Sequence, residues 1–207
     1  MYLVSNLGYH LLFQDADIVW FHDPLQVFAG EEYVDFDTLF MDDGARSLRY
    51  SPFFANSGFY FLRSNGKTKN FMHRLLVSFD YIMQTRSHQH ILDRFLAEHS
   101  AMFGMRTKVL RKDVFPQGQV FHHNKALMEE FVQNKKKPSV FHMCWTANKK
   151  DKLKYMKQTG IWFLTDTCDE GWLRGTGQRA GADGLRACCD AGAVAWRPGG
   201  EMPSLKS

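Results

Sequence analysis

Cysteine is scarce in this chain, and long apolar runs are missing from it. The sequence has four cysteines among 207 residues, which are too few and too unevenly spaced for a disulfide framework, and no two have the Cys-x-x-Cys spacing of a zinc site. No apolar run is long enough to cross a membrane. Residues 1–4 lack the basic flank and long apolar region of a signal peptide. We therefore expect neither a disulfide-bonded module nor a membrane span in this chain.

A strong excess of one charge is also lacking. The formal net charge is +4, and the basic residues are dispersed apart from residues 135–137 and a lysine-rich stretch at residues 149–154. This balance gives little support to a nucleic-acid partner, whereas a small substrate that carries phosphate is compatible with it. Hydrophobic residues make up 44% of the chain, which is enough apolar material for one globular domain of ordinary size.

Two carboxylates stand between short apolar runs in residues 11–24. Asp15 and Asp17 follow Leu-Leu-Phe-Gln and precede Ile-Val-Trp-Phe, with no lysine or arginine in the same stretch. Residues 8–13 and 18–21 are each typical of a short strand, and Pro24 ends the second because proline lacks an amide donor. Unpaired carboxylates at a strand end favour a hard divalent cation. An isolated Asp-x-Asp is usually a solvated turn, so it is the apolar flanks that favour a metal site here.

Other stretches rich in aromatic and β-branched residues are also typical of strands, and they lie at residues 33–41, 59–63, 108–110 and 139–145. The first of these stretches leads into Asp42 and Asp43. The second follows Asn56, Ser57 and Gly58, a sequence that predicts a polar turn with a close backbone approach at the glycine.

Two stretches have apolar residues at helical spacing. From residue 68 to about residue 84 these residues form one stripe, which predicts a single amphipathic helix. Ser87 can cap a second helix over residues 88–98, which is expected to bury Ile91, Leu92, Phe95 and Leu96. Residues 115–119 predict a tight turn.

The alternation of strands and helices predicts an α/β fold with a mixed or mostly parallel sheet flanked by helices.

The composition changes after residue 164. Glycine, alanine and arginine dominate from residue 171 onward, and the apolar periodicity disappears. We therefore predict a folded domain over residues 1–170 and a low-complexity, disordered tail over residues 171–207.

The Asp-x-Asp stretch is similar to motifs of two families. Asp15-Ala16-Asp17-Ile18-Val19 resembles the Asp-x-Asp-x-(Thr/Val) motif of haloacid-dehalogenase-type phosphatases, in which the first aspartate is the phosphoryl-accepting nucleophile. That family also has a lysine and a second acidic pair downstream, whereas Asp42 and Asp43 come early here. Gln14 also interrupts the apolar run that should reach the nucleophile.

A longer, ordered match resembles the nucleotide-diphospho-sugar transferase family, whose members are GT-A-fold glycosyltransferases and include plant and algal cell-wall enzymes. The matching segments are Gly8-Tyr9, residues 12–24, residues 56–63, Gln89, residues 140–142 and residues 162–164. The resemblance implies a GT-A-like mixed sheet and a retaining transfer of a sugar from a nucleotide diphosphate, a UDP-sugar, to a glycan or glycoprotein acceptor. An Asp-nucleophile phosphatase and a non-catalytic remnant of the glycosyltransferase fold stay as alternatives.

The same resemblance implies a metal centre. Asp15 and Asp17 would hold Mn²⁺ or Mg²⁺ against the donor diphosphate, directly or through water. His142, at the end of a late strand, would be the third protein ligand. The alternative for this histidine is a core residue beside Trp145 with its hydrogen bonds satisfied.

Further roles follow from the resemblance. The residues that would contact the donor or its sugar, besides the two aspartates, are Asn56, Ser57, Gly58 and Lys149. The first three of these are alternatively a plain turn, and a lysine run is usually a solvated face. The family has Asp-Gln where this chain has His88-Gln89, so Gln89 is the residue expected to support the reacting face of the sugar. Asp43 is the second candidate catalytic residue. Asp42 and Asp43 either contact sugar hydroxyls or lie in solvent at the end of a strand. We favour the solvated alternative for both.

In the family, a substantial half-domain that binds base and ribose precedes the Asp-x-Asp, whereas fourteen residues precede Asp15 here. We therefore expect a catalytic domain truncated at its N-terminus, with a sheet that lacks its first strands and with doubtful activity on its own. The family also implies a Golgi lumenal enzyme with an N-terminal membrane anchor, and the given residues contain no such anchor.

Overall fold

The computed structural model describes residues 1–164, so the predicted tail at residues 171–207 lies outside the described residues. Its residues form two units, Met1–Leu127 with Pro138–Trp145, and Met128–Lys137 with the described residues from Thr146 onward. The helices are α1 (Tyr2–Asn6), α2 (Pro24–Phe28), α3 (Gly66–Leu76), α4 (Phe79–Thr85), α5 (His88–Phe103), α6 (Gly118–His123), α7 (Lys125–Val132) and α8 (Lys149–Gln158). The strands are β1 (Leu11–Gln14), β2 (Ile18–Trp20), β3 (Thr38–Asp42), β4 (Ala55–Leu62), β5 (Thr107–Val109) and β6 (Val140–His142). Within residues 1–164 no helix is long and apolar enough to cross a membrane.

The first unit contains a mixed sheet in the order β1-β4-β3-β5. β4 pairs antiparallel with β1 and with β3, and β3 pairs parallel with β5. β2 and β6 form a separate antiparallel pair in which Ile18 lies opposite His142. The predicted mixed α/β sheet flanked by helices is confirmed. A mostly parallel sheet is wrong, because most of the pairing in the four-stranded sheet is antiparallel.

The two central strands, β3 and β4, are buried on both faces. Alternate residues of β4 point to opposite sides, so that Tyr60 and Leu62 pack with Phe71, Leu92, Phe95 and Leu96 of α3 and α5. On the other side, Phe59 and Phe61 pack with Leu39, Met41, Phe28, Phe115 and Val140. Strands that are covered on both faces are expected to be nearly continuous apolar runs, as the end of β4 is in the sequence.

The helix predicted over residues 68–84 is two helices. Ser78 lies at the break, and its hydroxyl donates to the carbonyl of Arg74 at 2.6 Å, a bond that competes with the helical backbone pattern. α3 buries Phe71 and Leu75 as expected, but Phe79 on α4 is exposed. The single buried stripe is therefore wrong in its second half.

The second predicted helix is confirmed and is longer than expected. The Ser87 side chain accepts a hydrogen bond from the amide of His90 at 3.2 Å, which caps the start of α5. The predicted apolar residues Ile91, Leu92, Phe95 and Leu96 are all buried. The helix continues to Phe103 and ends at Gly104, which has φ +61° as helix-terminating glycines often do.

The polar stretch Asn56-Ser57-Gly58 is part of β4, so the predicted turn is wrong. Its polar groups are satisfied by side chains from elsewhere in the first unit, which lets the strand begin at Ala55. Residues 115–119 lead into α6, with Gln117 as its cap. Pro24 does end the extended segment, and it also starts α2, which is capped by a hydrogen bond from Leu25 to Asp23.

Candidate metal centre

The Asp-x-Asp segment joins the two sheets. Asp15 directly follows β1, and Asp17 directly precedes β2. The backbone amide of Asp15 donates to the carbonyl of Gly58 at 2.7 Å, and the amide of Met143 donates to the carbonyl of Asp17 at 3.2 Å. His142 is the last residue of β6, beside β2. Backbone pairing therefore brings segments that are more than a hundred residues apart to one place.

One side-chain atom from each of Asp15, Asp17 and His142 lies within 4.8 Å of the others. His142 Nε2 is 3.3 Å from Asp17 Oδ1 and 3.6 Å from Asp15 Oδ2. The imidazole is 2% exposed, whereas the Asp15 side chain is 48% exposed and that of Asp17 19%. The cluster is therefore closed at the histidine and open to solvent at Asp15.

The donor set fits a divalent cation. Carboxylate oxygens suit Mg²⁺ and Mn²⁺, and an imidazole nitrogen is also a ligand for transition metals. One feature departs from the usual pattern, in which the second ring nitrogen of a metal-binding histidine donates a hydrogen bond. His142 Nδ1 is buried and has no hydrogen-bond partner among residues 1–164.

Gly58 is packed against the cluster. A Cβ added there would lie closer than 3.0 Å to Asp15 Oδ2, to His142 Cε1 and to Asn56 Oδ1. A side chain at this position would therefore push the candidate ligands apart. The glycine was expected to shape a sugar pocket, and the structure places it directly behind the candidate ligands.

Asn56 connects Gly58 to the acidic end of β3. Its Oδ1 accepts from the amide of Gly58 at 2.8 Å, and its Nδ2 donates to Asp43 Oδ1 at 2.9 Å. Trp145 Nε1 donates to the backbone carbonyl of Asp43 at 2.6 Å. Asn56 and Asp43 are both buried. A continuous set of hydrogen bonds thus runs from Trp145 to the residue that packs against the ligands.

The solvated alternative for Asp42 and Asp43 is wrong, because both residues are buried. Asp42 forms an ion pair with Arg46 at 2.7 Å and lies 3.6 Å from Lys112 Nζ. Asp43 is held by Asn56, as described above. Both carboxylates therefore have partners within the first unit.

Gln89 is the second residue of α5 and faces β4. Its Oε1 accepts hydrogen bonds from the amide of Ser57 at 3.3 Å and from the Ser57 hydroxyl at 3.4 Å. The structure thus brings Gln89 to the same strand segment as Asn56 and Gly58. Lys149 is the first residue of α8, is exposed, and belongs to the second unit. Its contact with a donor phosphate stays a prediction.

Asp93 is a buried residue near this segment that the sequence patterns did not single out. Its Oδ1 accepts a hydrogen bond from the amide of Ala55 at 2.9 Å, and its Oδ2 has no partner within residues 1–164. Burial raises the pKa of Asp93 to about 8, the Ala55 amide opposes this shift, and the charge of Asp43 adds to it. The available signal was its position directly after Ile91 and Leu92 on the apolar face of α5.

Comparisons with known proteins identify the family. No curated protein matches the chain. Among solved structures, the glycosyltransferase GlyE of Streptococcus pneumoniae TIGR4 is similar at 14% identity and a TM-score of 0.41 over 74% of this chain. The chain spans 42% of the length of that protein. The assignment depends on the family model described as nucleotide-diphospho-sugar transferase, which matches residues 2–156 and so covers more than half of the chain. The chain belongs to the nucleotide-diphospho-sugar transferase family, a family of glycosyltransferases.

Proposed function

We propose that this chain transfers a sugar from a UDP-sugar to a glycan or glycoprotein acceptor with retention of configuration at the transferred carbon. The observation that carries the proposal is the cluster of Asp15, Asp17 and His142 in a member of this family. Retention and the UDP moiety are supported by the resemblance of residues 12–24 and 56–63 to the family. The phosphatase alternative depends on a match of five residues and is the weaker hypothesis.

Asp15, Asp17 and His142 would hold Mn²⁺ or Mg²⁺. When bound, the cation supplies positive charge that offsets the negative charge of the leaving nucleotide diphosphate. Asp15 is the most exposed of the three residues and is assigned to the donor side of the site. His142 is buried and limits the site on its inner side, where Gly58 leaves room for the ring.

Gln89 is assigned to the sugar. Its Oε1 accepts from Ser57, so we assign the Nε2 amide as the group that would donate to a sugar oxygen. Asp43 was a candidate catalytic residue, and its contacts support a positioning role. Its carboxylate holds the Asn56 side chain, and Asn56 in turn holds the amide of Gly58.

Turnover of a panel of UDP-sugars by the full chain, with and without Mn²⁺ or Mg²⁺, tests the proposal. Asp17→Asn should lower the metal-dependent rate at least about 100-fold. Asp35→Asn, which alters an exposed carboxylate of the same unit, is the matched control and should leave the rate unchanged. The anomeric configuration of the product, determined by NMR, reports on retention.

Two results would contradict the proposal. Hydrolysis of phosphate esters that is lost in Asp15→Asn, without any use of nucleotide sugars, would identify a phosphatase. Absence of turnover together with absence of UDP binding would identify a non-catalytic remnant. Localisation in the Golgi lumen stays a prediction, and the location of a tagged chain in cells tests it.

A further inference from the structure

Trp145 is a large apolar residue that is held in an exposed position. Its residue surface is 45% exposed, and its backbone has φ +60°. Single exposed aromatic residues are common, but a bulky residue in the left-handed region is an outlier whose strain must be supported by its surroundings. The contacts of Trp145 show how the surroundings support it.

Three contacts hold the ring and its backbone. The indole Nε1 donates to the carbonyl of Asp43 at 2.6 Å. The ring of His123 meets the indole edge-on at 6.1 Å between centroids. Gly118 packs so closely on this segment that an added Cβ would overlap the carbonyl of Cys144 and lie 3.2 Å from Trp145 Cβ. The ring is therefore positioned by specific contacts, although much of it is open to solvent.

The position of Trp145 relates it to the metal centre. It lies three residues after His142, so their Cα atoms are at most about 10 Å apart. It is also the end of the hydrogen-bonded set that passes through Asp43 and Asn56 to Gly58. The Cα atoms of Trp145 and His142 are thus separated by no more than the length of a disaccharide, and the ring of Trp145 is uncharged and 45% exposed.

We propose that the indole of Trp145 stacks on a sugar ring of the acceptor and so helps to determine acceptor specificity. This proposal rests on the proposed function. The C–H groups on one face of a pyranose carry partial positive charge, and they are attracted to the negative face of an aromatic ring. The donor diphosphate would be held through the cation at the carboxylates, whereas a neutral acceptor offers C–H faces that an exposed aromatic ring can contact.

Three variants of the full chain separate stacking from a structural role. Trp145→Ala removes the ring, and Trp145→Phe keeps an aromatic face but loses the bond to Asp43. Phe79→Ala removes an exposed aromatic residue from α4 and is the matched control. We expect Trp145→Ala to raise the acceptor KM about tenfold, whereas Trp145→Phe stays within about twofold of the parent chain. The donor KM should be unchanged in all three.

Equal loss in the alanine and phenylalanine variants would assign Trp145 to positioning of Asp43 and overturn the proposal. A change in the donor KM alone would assign the ring to the donor sugar and would also overturn it. If the parent chain transfers no sugar, the proposed function fails. Calorimetric titration with cellotetraose, mannotetraose and galactotetraose then tests the stacking proposal independently of sugar transfer. Binding that weakens about tenfold in Trp145→Ala and is retained in Trp145→Phe supports stacking. Absence of binding to the parent chain overturns it.

Discussion

Replacement of Asp93 by asparagine should change how the stability of the chain depends on pH. Asp93 is buried on α5, and burial raises its pKa to about 8 from the ordinary value of 3.8. Between these pH values the folded chain retains a proton that the unfolded chain has lost. The stability contributed by this proton is therefore complete below about pH 4 and is lost as the pH rises toward 8.

The expected magnitude follows from the size of this window. Each pH unit within it lowers the free energy of unfolding by about 1.4 kcal/mol, so the loss between pH 5 and pH 7 is about 3 kcal/mol. Asparagine can accept the hydrogen bond from the Ala55 amide, which is 2.9 Å from Asp93 Oδ1, and it does not titrate. Any fixed cost of burying its amide group is the same at every pH. The difference in stability between the two chains should therefore move in favour of Asp93→Asn by about 3 kcal/mol over these two pH units.

Urea denaturation of both chains at pH 5, 6, 7 and 8 measures this difference. The other titrating groups are shared, so their contributions cancel when the two curves are subtracted. Asp35→Asn replaces an exposed carboxylate, and its difference from the parent chain should be flat over the same range. A flat difference for Asp93→Asn, or one that moves in favour of the parent chain as the pH rises, would refute the reasoning.

Three further predictions test the contacts around the metal centre. Gly58→Ala should abolish Mn²⁺ binding and lower the free energy of unfolding by about 2 kcal/mol, because the added Cβ overlaps two of the three candidate ligands. Gly66→Ala is the control, because an added Cβ there meets nothing within 4 Å, and it should raise the free energy of unfolding by about 0.5 kcal/mol. An equal shift of the thermal unfolding temperature in both variants would contradict the claim that Gly58 is tightly packed. Asn56→Ala should lower the free energy of unfolding measured by urea denaturation by about 2 kcal/mol, because it leaves Asp43 Oδ1 buried without its partner at 2.9 Å. A negligible change would count against this contact. His142→Ala should weaken Mn²⁺ binding at least about tenfold by calorimetry, and unchanged affinity in a folded variant would exclude the histidine as a ligand.

Local patterns in the sequence were sufficient to predict the two strands that flank Asp15 and Asp17. The apolar runs on either side of Asp15 and Asp17 predicted two short strands, and β1 and β2 occupy these positions. The cap at Ser87 and the buried face of α5 were also predictable, because helix start signals and helical periodicity act over a few residues. Pairing partners are not local, so the antiparallel contacts of β4 with β1 and β3 could not be inferred from the alternation of strands and helices.

The wrong predictions for Asn56, Ser57 and Asp43 have a common physical cause. Asn56 and Ser57 suggested a turn because polar residues at a strand start usually need solvent or turn partners. Here Asp43 and Gln89 supply those partners from other elements, so the segment can be a buried strand. Asp42 was expected in solvent, although Arg46 four residues later was a visible partner. Asp43 has no such local signal.

Two of the residues that local rules misplaced, Asn56 and Asp43, are therefore residues that position the candidate ligands. A buried polar pair such as Asn56 and Asp43 is costly unless its hydrogen bonds are made, and this cost restricts the pair to one arrangement. That arrangement fixes the amide of Gly58, and the carbonyl of the same glycine accepts from the amide of Asp15. A change at Asn56 should consequently weaken Mn²⁺ binding even though Asn56 is not one of the three candidate ligands. Local sequence patterns thus conflict with the structure at Asn56 and Asp43, beside the candidate ligands, and conflicts of this kind are expected at functional sites.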